Sequence, residues 1–190
     1  MVENSPVGDH TRDYVVEQMG VARLDEAGRT DLQIAFDPSD VDAAYAELNE
    51  RWFELGAREE SRRAVEFLEA IKRQDFDGLR ALMTDDFVYV DHRPVSFGST
   101  GPDEYVERSR TLSSLGDFKL RIVRDFEAAR PEDVFLVRRE GTDEHGNDVS
   151  WEYLAVGQIV GGRLSRTEVF PAERLDDAVA RAKELAGANG

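Results

Sequence analysis

The chain has 190 residues and no cysteine, and its 40 acidic residues against 24 basic ones give a formal net charge of −16. Such an acidic surface repels phosphate backbones, so we expect no nucleic-acid partner, and the lack of cysteine excludes disulfides and thiolate chemistry. No apolar run approaches the ~20 residues of a membrane-spanning helix, and the N-terminus lacks a secretory signal pattern, so we expect a cytoplasmic protein with no membrane partner.

The sequence offers few ligands for a metal ion. His10, His92 and His145 are the only histidines, and none is spaced with a second histidine or a carboxylate in a metal-binding motif. We therefore predict no metal site and no cofactor.

The N-terminal part of the chain predicts a β-hairpin followed by a helix. Tyr14-Val15-Val16 opens an extended run, residues 25–28 form a turn, and residues 32–36 alternate between apolar and polar side chains. Asp37-Pro38 is typical of a helix start, and apolar residues at helical spacing continue to Gly56.

The central part predicts three helices and one strand. A helix starts at Arg58 and ends near Gln74-Asp75, and a short helical turn follows it. An extended run over residues 86–91 then ends in Asp91-His92-Arg93, and Pro102 begins the next helix. Ionisable side chains at a strand end are well placed for chemistry, because the strand holds them and the following loop leaves room for a ligand.

After Gly116 the apolar period changes to two. Short turns divide this region into four extended segments, at residues 118–122, 134–136, 149–155 and 164–170. A final amphipathic helix covers residues 172–186. The short connections indicate an antiparallel meander, and the whole order of elements predicts an α+β fold in which a curved sheet wraps around helices.

One internal repeat bears on the division into domains. Residues 28–48 align without a gap on residues 162–182, and each copy predicts a strand followed by an amphipathic helix. Either the similarity is chance, or residues 1–56 are a remnant of the closing strand and helix of a preceding unit. We divide the chain into this hairpin-and-helix appendage, 1–56, and a main domain, 57–190.

The segment AVEFLEAIKRQDFDGLRALMTDDFVYVD, residues 64–91, carries a family resemblance. With the strands up to residue 170, it resembles the nuclear transport factor 2-like family, which includes ketosteroid isomerase, limonene epoxide hydrolase and the SnoaL-like cyclases. The resemblance implies a cone-shaped curved antiparallel sheet, as in cystatin-like folds, around a pocket for a small lipophilic molecule. It also implies a homodimer.

The resemblance places Asp91 where ketosteroid isomerase has its general base. The isomerase's oxyanion-hole tyrosine falls at Phe67 and its protonated aspartate near Ala155, so steroid isomerisation is not expected. Two alternatives stay open for Asp91. It is either a base with a raised pKa in an apolar cavity, or the ion-pair partner of Arg93.

Arg166 and Glu168 are further candidates for a catalytic role. They share a face of the last strand with Phe170, and the earlier repeat copy has Leu32 and Ile34 at the corresponding positions. A face that is apolar in one copy and charged in the other suggests a buried, functional pair inside the cone. An ordinary cross-strand ion pair is the alternative.

Tyr153 is the last catalytic candidate, since alternation places it on the inward face with Ala155, where it would orient a substrate or a water. The candidate ligand-binding residues are mostly aromatic, and aromatic side chains such as Tyr89, Phe97 and Tyr105 are more often part of a core than of a ligand site. The candidates are Phe67, Tyr89, Arg93, Phe97, Tyr105 and Trp151.

Two functions remain in competition. The first is a non-catalytic pocket domain that binds a small apolar molecule for sensing or dimerisation. The second is a cofactor-free acid/base enzyme of the isomerase, cyclase, dehydratase or epoxide hydrolase type with Asp91 as base.

Overall fold

The computed structural model describes residues 17–96, 98–126, 133–143 and 145–188. The chain divides into two compact units, Met1–Arg51 and Trp52–Gly190. The predicted start of the hairpin at residues 14–16 lies outside the described residues. The origin of the first unit as a remnant of a repeat stays a prediction.

The first unit contains the predicted hairpin. Strands β1 (Met19–Leu24) and β2 (Thr30–Phe36) pair antiparallel. Gly28 has a φ of 75°, a left-handed value that glycine adopts without strain, and this allows the tight turn between the two strands. Helix α1 (Val41–Glu54) follows an Asp-Pro turn in which Asp37 accepts a hydrogen bond from the Ser39 backbone N–H at 2.9 Å.

The second unit contributes four more helices: α2 (Glu59–Lys72), α3 (Phe76–Ala81), α4 (Pro102–Ser114) and α5 (Leu175–Ala188). Helix α2 buries a stripe that includes Val65, Phe67 and Ile71, which is the amphipathic pattern of its sequence. In the described part of the chain, no helix has the length and apolar character needed to cross a membrane.

The short helix α3 depends on a cap at its start. The Asp75 carboxylate accepts a hydrogen bond from the Gly78 backbone N–H at 2.9 Å, and thereby satisfies one of the free donors of the first turn. The helix then directs Phe76 and Leu79 into the core.

Replacing Asp75 by alanine should lower the free energy of unfolding by about 1 kcal/mol, because the Gly78 N–H loses its acceptor. Asp77→Ala is the matched control, since Asp77 lies exposed in the same first turn and is not the capping residue. Urea denaturation of both variants measures the difference. Equal losses for the two would contradict the capping role.

The second unit is built on a six-stranded sheet. Its strands are β3 (Met83–Asp91), β4 (Ser99–Thr100), β5 (Gly116–Phe126), β6 (Val134–Asp143), β7 (Asp148–Val160) and β8 (Arg163–Pro171). The order across the sheet is β4-β3-β8-β7-β6-β5. All neighbours are antiparallel except β3 and β8, which run parallel with Tyr89 opposite Thr167 and Asp91 opposite Val169. Strand β4 falls in a region where the sequence predicted only a loop.

The sheet packs helices on both of its faces. We call the face against α2, α3 and α4 the inner face, and the face against α5 the outer face. Apolar inner-face residues of the strands include Phe87, Tyr89, Leu120, Phe135, Val137 and Val169. Apolar outer-face residues are Val134, Leu154, Val156 and Phe170, which pack on Ala178 and Ala182 of α5. The predicted α+β arrangement is therefore present, and it separates two environments for polar side chains.

Candidate ligand-binding cavity

Two adjoining cavities lie against the inner face. The larger has a volume of about 500 Å³ and is lined by residues of α2, β3, the chain after β3, α4 and strands β5 to β7. The smaller has a volume of about 70 Å³ and lies among α2 and strands β6 to β8. Tyr89, Tyr105 and Tyr153 line both. A cavity of several hundred Å³ has the size of small-molecule sites in proteins.

We call these three lining residues the tyrosine wall. The ring of Tyr105 lies 4.8 Å from that of Tyr89 and 5.6 Å from that of Phe67, measured between centroids. Burial raises the pKa of Tyr89, Tyr105 and Tyr153. The phenols therefore stay protonated near neutral pH, and the wall is apolar with uncharged hydroxyl groups.

Asp91 lies on the inner face but is held by Arg93. The Arg93 guanidinium donates from Nε and Nη2 to the two carboxylate oxygens at 2.8 Å each, and the Arg93 backbone N–H donates at 3.1 Å. Asp91 is buried, and its hydrogen bonds raise the pKa of Arg93. This is the geometry of the ion-pair alternative, because a bidentate arginine stabilises the charged carboxylate and uses its lone pairs.

Arg166 and Glu168 are not in the cavity, and the prediction that they face the inside of the cone is wrong. Glu168 is opposite Val156 in the sheet register, so its side chain lies on the outer face with Phe170. It accepts hydrogen bonds from Arg166 at 3.0 Å and from Arg181 of α5 at 2.8 and 3.0 Å. Glu168 is buried and Arg166 is half-buried, and both lie on the other side of the sheet from Asp91.

His92 completes this outer-face cluster. Its Nε2 lies 2.7 Å from Glu168 Oε2, and its ring stacks on Phe170 with centroids 4.4 Å apart. Burial alone would raise the pKa of Glu168, but hydrogen bonds from Arg181 and His92 outweigh it, so the pKa lies below its usual value. The cluster joins the end of β3, strand β8 and α5.

The mouth of the larger cavity is lined by residues from several elements. Trp151, which is 38% exposed, and Val95 lie on this rim with Arg108 of α4, which pairs with Glu104 at 3.1 Å. The guanidinium of Arg93 lies 5.3 Å from the Tyr153 ring centroid. Phe97, a predicted ligand-binding residue, lies outside the described residues.

Two polar groups next to the cavities were missed in the sequence. Arg139 lies on the inner face of β6, opposite Trp151, and lines the larger cavity. The alternation of Phe135, Val137 and Arg139 along β6 predicts that Arg139 shares a face with the two apolar residues. Asp133 lines the smaller cavity, forms an ion pair with Arg58, and accepts a hydrogen bond from the Ser61 hydroxyl at 3.4 Å. Among the described residues, no three histidine, cysteine or acidic side chains are grouped to hold a metal ion.

The sequence matches the family model described as a SnoaL-like domain over residues 64–167. This range includes β3, α4 and strands β5 to β7, which form most of the wall of the larger cavity. No curated protein matches the chain.

Solved structures with the same fold cover about two thirds of this chain. An LEH-like epoxide hydrolase from M. tuberculosis has 20% identity and a TM-score of 0.50, over 69% of this chain and 92% of that chain. An NTF2-like protein of unknown function from Burkholderia pseudomallei has 21% identity and a TM-score of 0.51, over 67% and 97%. RV0760c from Mycobacterium tuberculosis, in complex with estradiol-17beta-hemisuccinate, has 15% identity and a TM-score of 0.52, over 62% and 95%. The predicted cone-shaped fold is confirmed, and at these identities the likeness is one of fold alone.

Proposed function

Because the chain belongs to the family of SnoaL-like domains, we propose that it binds a small, largely apolar molecule in the larger inner-face cavity. The observation that carries this proposal is the cavity itself: about 500 Å³, walled by Tyr89, Tyr105, Tyr153 and Trp151. Aromatic side chains supply large apolar contact areas with few rotatable bonds, and they leave hydroxyl groups to orient a ligand.

The pairing of Asp91 supports binding over acid/base catalysis. A general base has to direct an oxygen at the proton that it removes, whereas both oxygens of this carboxylate are hydrogen-bonded to the Arg93 guanidinium. The lining of the larger cavity includes Arg93 but not Asp91. Arg166 and Glu168, which would have assisted catalysis, lie on the outer face.

The complex of RV0760c with estradiol-17beta-hemisuccinate supports the idea that a cone of this fold accommodates a ring-containing ligand. RV0760c is 15% identical to this chain, so its complex indicates how large a ligand the fold can hold but does not indicate the chemistry of the ligand. A sensing or dimerisation role remains part of the proposal, and homodimerisation rests on the family resemblance.

The proposal is tested with N-phenyl-1-naphthylamine, an uncharged fluorescent probe whose emission rises in apolar sites. We expect saturable 1:1 binding to the wild-type protein. Leu112 of α4 lines the cavity, so Leu112→Trp should fill it and weaken probe binding roughly tenfold or more.

Thr111→Trp is the matched control, because Thr111 is the exposed neighbour of Leu112 on the same helix and does not line the cavity. It should bind the probe like the wild type. Thermal denaturation of both variants verifies that they are folded. No saturable binding to the wild type, or equal binding by the wild type and Leu112→Trp, would refute the proposed site.

A further inference from the structure

The charged residues that line the larger cavity are basic, whereas the protein as a whole is acidic. The chain carries 40 acidic and 24 basic residues. The described residues that line this cavity nevertheless include Arg93, Arg108 and Arg139 and no acidic residue. A site with this lining favours an anion, because its charged groups are all of one sign and its remaining walls are apolar.

Two of these arginines already have carboxylate partners. Arg93 holds Asp91 with two hydrogen bonds of 2.8 Å, and Arg108 contacts Glu104 at 3.1 Å. Each of these two guanidinium groups is therefore already paired with a carboxylate of the chain. The excess charge of the cavity belongs to the third arginine.

Arg139 has a different environment. Its guanidinium carbon lies 4.6 Å from the ring centroid of Phe118 and 5.4 Å from that of Trp151, so the group is within cation–π distance of both rings. Within the described ranges it forms no ion pair, and its Nε is buried without a hydrogen-bond partner. Burial lowers the pKa of Arg139, yet a guanidinium remains protonated in proteins.

The position of Arg139 defines how a ligand would bind. It lies opposite Trp151 across the β6–β7 pair and opposite Leu120 across the β5–β6 pair, at the edge of the tyrosine wall. The two aromatic rings restrain its guanidinium group, and its buried Nε has no hydrogen-bond partner among the described residues. A planar fork of this kind matches the two oxygens of a carboxylate.

We propose that the cavity takes an apolar ring compound with a single carboxylate, and that Arg139 binds this carboxylate while Tyr89, Tyr105 and Tyr153 contact the ring system. The proposal rests on the proposed binding function and names the chemical class of its ligand. Arg139 is then a specificity-determining residue that favours an organic acid over its neutral analogue.

The test compares 2-naphthoate with 2-naphthamide as competitors of N-phenyl-1-naphthylamine at pH 7.5. The two have nearly the same shape and differ in charge. We expect 2-naphthoate to displace the probe at a roughly 10- to 100-fold lower concentration, which is the range for a hydrogen bond to a charged group. Arg139→Gln should abolish this preference, while Arg139→Lys should retain part of it.

Arg138→Gln provides the matched control. Arg138 is the exposed neighbour of Arg139, alternates to the other face of β6, and pairs with Glu152 at 2.7 Å. This variant should keep the full preference for the acid. Binding of the uncharged probe to all variants shows that the cavity is intact.

The possible failures are distinguishable. If the probe does not bind the wild type, the proposed function fails. If the probe binds but neither competitor displaces it, or both do so equally, the assignment of an acidic ligand is refuted. A preference that survives in Arg139→Gln would show that another residue recognises the acid, and would refute the role of Arg139.

Discussion

Replacing Arg93 by methionine should lower the free energy of unfolding by about 3–5 kcal/mol, because it removes the guanidinium that pairs with a buried carboxylate. The Asp91 side chain is fully buried, and Arg93 gives it two hydrogen bonds of 2.8 Å from the guanidinium. Methionine retains much of the aliphatic stem of arginine and removes the charge. Urea denaturation at pH 7.5 measures the loss.

A second variant separates the charge effect from lost packing. Asp91→Leu combined with Arg93→Met replaces both partners with apolar side chains, and buried pairs replaced in this way often cost little. The double variant should therefore be clearly more stable than Arg93→Met alone. A double variant that is no more stable than Arg93→Met, or a loss below about 1 kcal/mol in Arg93→Met, would contradict a pair that is held together by charge.

Removing both arginines of the outer-face cluster should lower the free energy of unfolding by about as much as Arg93→Met does. Arg166→Met combined with Arg181→Met leaves Glu168, which is 1% exposed, with His92 but without its guanidinium partners. We expect a loss of about 3–5 kcal/mol at pH 7.5. Arg174→Met is the control, since the Arg174–Asp177 pair lies half-exposed near the start of α5 and should contribute less than about 1 kcal/mol.

The loss of stability in this double variant should become smaller as the pH falls. In the wild type the folded-state pKa of Glu168 is lower than that of an unfolded glutamate, so its contribution to stability is present above the unfolded pKa and is lost as pH falls through the folded one. In the variant, burial without the arginines should raise this pKa. The difference in unfolding free energy between wild type and variant should therefore shrink from pH 7.5 to pH 4.5, and a constant difference would contradict the assignment.

The sequence predicted the elements of the fold because their apolar periods are regular. The change of period after Gly116 gave the meander, and the Asp75–Gly78 turn gave the short helix that precedes β3. Alternation also placed Tyr153 and Trp151 together, and both line the larger cavity. These inferences depend on neighbours along the chain, which a single sequence contains.

The side of the sheet on which a polar residue lies was harder to predict. Alternation shows that Arg166, Glu168 and Phe170 share a face, but it does not show which face the central helices cover. Helix α5 covers their face and supplies Arg181, a partner from a separate element. Arg139 was missed for a related reason, because its importance depends on which groups surround it in space, and Phe118 and Trp151 come from different strands.

The parallel pairing of β3 with β8 has a consequence for how the protein forms in the cell. Both strands lie in the middle of the sheet, yet the ribosome synthesises β8 after all the other strands. Hairpins such as β5–β6 are assembled from adjacent segments and can form early, whereas contacts between distant segments form slowly. The strand that carries Asp91 therefore acquires its main neighbour only after the other strands of the sheet have been synthesised, and until then its apolar residues lack the cover that β8 gives them.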